Sequence, residues 1–196
     1  MGDLVPLKSP QMERDTTAEL GMTLALTAWV MAFATLFLVL GYLRVRAPLW
    51  PPAGAPGLPV VPAALNTAIL LMSSAALSYG IRCIRRDDNV GLIRGLAGAT
   101  ALGAAFVCVQ AFGWAEMAAA GLRSADHGAY AATYYTFTVF HAAHVVAGLV
   151  VLARLLQGAG RRRFNNAAHT SVRTGAMFWH FVDGMWVLTF LTMYVL

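Results

Sequence analysis

The sequence predicts an all-α polytopic membrane protein, a bundle of five transmembrane helices with its N-terminus cytoplasmic and its C-terminus outside. Three observations lead there. Of the 196 residues, 59% are hydrophobic and only 12% charged, and mean hydropathy is +0.63, whereas soluble domains carry roughly 25% charged residues. Five apolar runs, at about 20–43, 60–83, 92–118, 131–156 and 174–196, each reach the roughly 20 residues that cross a bilayer's hydrocarbon. The basic residues, finally, divide unevenly between the two sets of connections. Lys8, Arg14, Arg82, Arg85, Arg86, Arg94, Arg154, Arg161, Arg162, Arg163 and Arg173 share one side, leaving Arg44, Arg46 and Arg123 on the other. Short loops rich in arginine stay inside, which sets the orientation.

Residues 1–19 read as a cytoplasmic N-terminal segment and 20–196 as one five-helix transmembrane domain. The opening stretch MGDLVPLKSPQMERDTTAE has mixed charge, and the run after it is too long for a signal-peptide core, so the first span is expected to remain. Trp29 lies near the middle of that span, too deep for an interfacial belt. The connection RVRAPLWPPAGAPGLPVVP, dense in proline and glycine, is expected to be ordered and non-helical with Trp50 at the headgroup level. The second run carries Asn66, Ser73, Ser74 and Ser78. The third carries Gln110 and Glu116 among Gly95, Gly98, Gly103 and Gly113, small residues that permit close backbone approach.

The fourth and fifth runs hold the candidate site. YYTFTVFHAAHVVAG, residues 134–148, places His141 and His144 three apart on one helix face, which Tyr134, Thr138 and Gly148 continue. WHFVDGMW, residues 179–186, repeats the device with His180 and Asp183. An ionisable group at membrane depth costs a few kcal/mol unless partnered, so it marks a functional site by default. With the two helices antiparallel, His144 matches His180 in depth and His141 matches Asp183. The four residues are therefore expected on facing sides of the fourth and fifth helices, with at least one His–Asp hydrogen bond. Imidazoles with a carboxylate suit zinc, copper or iron, and a haem held by two histidines is a variant. The plainer reading is a hydrogen-bonded network that sets helix register, with Thr138 or Tyr134 satisfying what remains. A proton relay has the same ingredients.

Other classes find little support. Net charge is +5, but the arginines sit in short loops where topology and anionic headgroups account for them, so lipid and not nucleic acid is the expected partner. The run RRRF at 161–164 reads as an inner-face anchor, and Asp87 and Asp88 beside Arg85 and Arg86 as a solvated loop. Cys83 and Cys108 lack any ligand spacing. A single lysine amid abundant alanine and glycine suggests a bacterial genome, hence a bacterial plasma membrane.

Four stretches resemble one family. YYTFTVFHAAHVVAGLVVL is similar to the F-Y-x-x-T-G-F-H-x-x-H-V-x-x-G segment of subunit III of haem-copper terminal oxidases (cytochrome c oxidase subunit III), and WHFVDGMW to its W-H-F-V-D-x-x-W. LWPPAG with LNTAILLMSS resembles its W-P-P-x-G and L-N-T-x-I-L-L-x-S-S, and Gln110 with Trp114 falls on Q-x-x-E-W. Length and topology fit the five-helix form. Three positions depart: Trp29 stands where the family often has glutamate, Gly113 where it has glutamate, and Val139 where it has glycine; Glu116 lies one turn beyond Gly113.

The resemblance implies a non-catalytic subunit of an oxidoreductase complex in aerobic respiratory electron transport. It would bind catalytic subunit I and the other oxidase subunits, hold phospholipid, and support its partner's stability and proton uptake. It implies no catalytic, cofactor-binding or metal-ligating residue of its own; haem and copper would sit in partner subunits. His141, His144, His180, Asp183, Thr138 and Tyr134 would form a structural polar cluster, with Trp50, Asn66, Gln110, Trp114, Glu116, Trp179 and Trp186 as further motif residues. Two alternatives stand beside it: an accessory subunit of a nitric oxide reductase or quinol oxidase, and an independent membrane metalloenzyme or small transporter using the His/Asp cluster.

Overall fold

In the computed structural model, which describes residues 10–196, the chain forms five long helices: α1 (Pro10–Arg46), α2 (Val60–Ile84), α3 (Asn89–Ala119), α4 (Ser124–Gly160) and α5 (Thr170–Phe190), the last ending in a π-helical turn, Leu191–Val195. All five are long and apolar enough to cross a membrane. In lipid a helix satisfies its own backbone groups, so uninterrupted apolar runs have no competing conformation. Each expected run lies within its helix apart from the last residue, Leu196. Helix α1 begins well before residue 20, because the mixed-charge stretch from Pro10 continues the helical hydrogen bonding.

The ends show why the helices stop where they do. The 47–59 connection is non-helical, as its prolines require, and Trp50 lies edge-on to Tyr130 at 5.2 Å. Helix α3 starts at Asp88, whose carboxylate accepts from Gly91 N at 2.9 Å. In α4 Gly128 breaks the first turn from the rest with φ 48° and ψ −123°, a conformation open in practice only to glycine.

Two of the connections are tied together at one end of the bundle. Asp87 accepts from Asn166 N at 2.6 Å, and Asn89 Nδ2 donates to Ala159 O at 3.0 Å. At the same end Arg173 pairs with Glu19, fastening α1 to α5. These connections, the helix ends that flank them and the start of α1 hold most of the arginines, so the structure groups the charge as the sequence does.

Helices α2 to α5 form the core, and α1 lies along α5 with only Phe33 and Leu40 buried among its hydrophobic residues. The tightest crossing is α2 on α3. A Cβ on Gly95 would sit 2.6 Å from Gly80 Cα and 2.7 Å from Ala76 O, so the two backbones touch there. Gly95→Ala is therefore expected to lower stability by roughly 1–3 kcal/mol, because the obstruction is backbone and cannot rotate away. Gly98→Ala, whose Cβ meets only Ala76 Cβ at 3.5 Å, should leave stability unchanged or raise it. Unfolding in detergent micelles measures both, and equal effects would show that the crossing is not close.

Candidate functional site: a polar seam between α2 and α5

Helix α5 turns its two tryptophans and its ionisable pair toward α2. Trp179 and Trp186 are seven residues apart and so share a face of α5, opposite Thr67 and Ser73 of α2. With the helices antiparallel the two sets mesh in sequence. Trp186 Nε1 donates to Thr67 Oγ1 at 2.9 Å, and Trp179 Nε1 donates to Ser73 Oγ at 3.0 Å. Ser73 in turn donates to Ala99 O of α3 at 2.9 Å, and Asn66 Nδ2 donates to Phe106 O at 3.3 Å. Next along the seam, Ser74 donates to Asp183 Oδ2 and lies 2.8 Å from His180 Nδ1, while Ser78 Oγ is 3.3 Å from His180 Nε2. A hydroxyl has one proton. With that proton directed to Asp183, His180 Nδ1 must donate to Ser74, which leaves Nε2 to accept from Ser78. Asp183 and His180 are thus linked through Ser74 and not by a direct hydrogen bond.

The six residues expected as one cluster are distributed over four places. His180 and Asp183 belong to the seam just described. His141 is fully buried between Phe106, 5.8 Å away and edge-on, and Trp186, 5.0 Å away, and neither ring nitrogen has a hydrogen-bond partner. His144 points instead toward α1, where Trp29 meets it edge-on at 4.7 Å and Phe33 lies at 5.6 Å; its Nδ1 lies 2.7 Å from Phe140 O one turn back. Trp29 also packs on Phe178 and Phe181. The indole stands where the resemblance expects glutamate, so His144 meets a ring and not a carboxylate.

Toward the Trp50 end of the bundle, Thr138 donates to Tyr134 O at 2.8 Å and accepts from Trp114 Nε1 at 2.9 Å. Tyr134, Gln110 and Asn66 line a small cavity of about 20 Å³ with Tyr194. Glu116 is exposed. Three- and four-residue spacing places residues on one side of a helix, but a side does not name its neighbour. The missed signal was the pair of hydroxyls Thr67 and Ser73 on α2, spaced to meet Trp186 and Trp179 on an antiparallel α5.

What this arrangement does chemically is to hold helices in register. Among the described residues no group of three or more His, Cys, Asp or Glu side chains is placed to hold a metal ion. Combining Thr67→Val with Trp186→Phe in a double-mutant cycle should give a coupling of about 0.6–1.7 kcal/mol, the range for interhelical hydrogen bonds in membranes. Strict additivity of the two single losses would show that this bond does not stabilise the seam.

Comparison with known proteins agrees with the motifs. The family model for cytochrome c oxidase subunit III matches residues 11–196. A cytochrome c oxidase subunit 3 from Synechocystis sp. is 31% identical over 177 residues, 90% of this chain and 74% of the relative. One from Thermostichus vulcanus is 32% identical over 178 residues, covering 90% and 86%, and one from Corynebacterium diphtheriae 30% over 194 residues, covering 96% and 93%. By the extent of these matches and the five spanning helices, the chain is a multi-pass membrane protein belonging to the cytochrome c oxidase subunit III family.

Proposed function

We propose that the chain is the non-catalytic subunit III of a haem-copper terminal oxidase of the cytochrome c oxidase type, working in aerobic respiratory electron transport in a bacterial plasma membrane. Haem and copper belong to its partners, chiefly the catalytic subunit, and this chain stabilises that subunit, supports its proton uptake and holds phospholipid. The end carrying the arginine-rich connections faces the cytoplasm.

One observation carries this reading beyond family membership. The side chains with the chemistry for a redox or hydrolytic centre are divided between separate helix contacts, where serines, a main-chain carbonyl and aromatic rings already occupy them. Metal catalysis needs several donors aimed at one point with a position left open. His141 has free nitrogens but only rings beside it. His144 and His180 face different helices.

Purification in mild detergent should bring down a haem-bearing membrane subunit with this chain, while the separated chain retains far less than one haem or copper per molecule by absorption spectroscopy and metal analysis. A partnerless chain, or one holding stoichiometric haem or copper, would sink the proposal. Trp29→Ala should shorten the working life of the complex without altering its haem spectrum, since it removes a ring packed on His144, Phe178 and Phe181. Removing a large aromatic from packed surroundings costs roughly 3–5 kcal/mol when fully buried, and less for this half-buried ring.

A further inference from the structure

At the Trp50 end of the bundle, α2, α3, α4 and the closing π-helical turn surround the small cavity of about 20 Å³. Its polar lining comes from Asn66, Gln110, Tyr134 and Tyr194. Asn66 directs its Nδ2 to Phe106 O. Gln110 is only 6% exposed and Tyr134 1%, and the Tyr134 hydroxyl lies beside both Tyr194 and the Gln110 side chain. Gly113, one turn from Gln110, lines the same space, and a Cβ there would meet nothing within 4 Å.

Depth decides what these groups require. Tyr134 and Gln110 stand roughly 10 and 14 Å from the near ends of their spans, His127–Gly160 and Asn89–Ala119. A primary amide carries two N–H donors and a carbonyl acceptor, and a polar group left unpaired in hydrocarbon costs several kcal/mol. One phenol beside Gln110 cannot pair all three. The space next to it has the right size and lining for a further partner, since a water needs about 10–15 Å³ of such volume and two to four polar neighbours, whereas dry cavities are apolar. Gly113 is also the position at which the Q-x-x-E-W motif has glutamate, so polar side chains surround a place where that motif puts a polar group.

We propose that this cavity binds one water molecule, held by the Gln110 amide and the Tyr134 hydroxyl with Tyr194 as a third partner, and that the water makes the hydrogen bonds a polar side chain at position 113 would otherwise make. A water can donate twice and accept twice, so it meets an amide and two phenols whichever way each is turned. It joins α3, α4 and the π-helical turn, three elements that no printed side-chain hydrogen bond brings together at this level. The site is complete within one chain and needs no partner subunit.

Two substitutions at Gly113 test the proposal, because the helix has room for a side chain there. Gly113→Gln and Gly113→Leu add chains of similar length and similar helix propensity, so the gain from replacing a glycine is common to both. Either chain displaces the water. The amide takes over its hydrogen bonds, while the leucine leaves Gln110 and Tyr134 without them. In detergent micelles Gly113→Leu should therefore unfold roughly 2–4 °C below Gly113→Gln. A dry cavity would favour the apolar filler, so Gly113→Leu unfolding at or above the temperature of Gly113→Gln would overturn the proposal. Should the variants fail to fold, a density map of the wild-type chain in its complex, fine enough to show ordered water, decides instead. It should contain a single peak about 2.5–3.2 Å from polar atoms of both Gln110 and Tyr134. An empty cavity in a map that shows other buried waters would equally overturn it.

Discussion

Trp179 is the side chain on which the arrangement of the core depends. Its indole N–H is held by Ser73 of α2, and its ring fills the space that Gly103 of α3 and Gly148 of α4 leave open, where added Cβ atoms would fall within 2.6 and 2.7 Å of it. One residue of α5 therefore fixes the positions of three other helices. Membrane helices gain no hydrophobic drive from meeting one another, so a close fit of this kind, with its one buried donor satisfied, is the form that stabilisation has to take. A bulky ring needs small partners, and the glycines on α3 and α4 are explained by the tryptophan on α5.

The same constraint accounts for the polar seam. A hydroxyl or indole N–H in hydrocarbon without a partner costs several kcal/mol. The serines and threonine of α2 thus have few alternatives to meeting the tryptophans, histidine and aspartate of α5. The polar pattern acts as a register mark. Sliding α5 by one turn would break the Trp179 and Trp186 bonds together, because their acceptors, Ser73 and Thr67, are both fixed on α2. The apolar remainder of the interface would tolerate such a slip far better.

How much of this was legible in the sequence follows from the kind of information each feature carries. The five spans were, since hydropathy over a run of about 20 residues answers the single question of whether water or lipid surrounds it. The lipid-buried status of His141 and Asp183 was legible for the same reason. The neighbour of each polar face was not. Helical spacing places His141 and His144 on one side of α4, but an i, i+3 pair still spans about 60° of arc, enough for one ring to enter the core between Phe106 and Trp186 while the other turns to α1. The pairing of polar residues assumed α4 beside α5, which it is, yet α5 also contacts α2 and α1. Serines are weak signals beside histidines, which is why Ser73 and Ser74 were read as companions to a site and not as half of it, and Thr67 was not singled out at all.

Trp29 and His144 show how one set of residue types separates scaffolding from chemistry. A histidine deep in a membrane becomes a proton carrier or a ligand only when a lone pair or proton is directed at a group that can exchange with it. At His144, Nδ1 faces the carbonyl of Phe140 on its own helix, and the ring edges are covered by Trp29, Phe33 and Phe140. With an indole where a carboxylate would otherwise stand, the histidine is left as a packing element of the contact between α1 and α4. His180 differs, since both of its nitrogens contact hydroxyls and through Ser74 it communicates with Asp183. Proton exchange between a carboxylate and an imidazole across one hydroxyl is chemically possible there and nowhere else among the described histidines. The proton chemistry open to the described histidines is therefore concentrated at the α2–α5 seam.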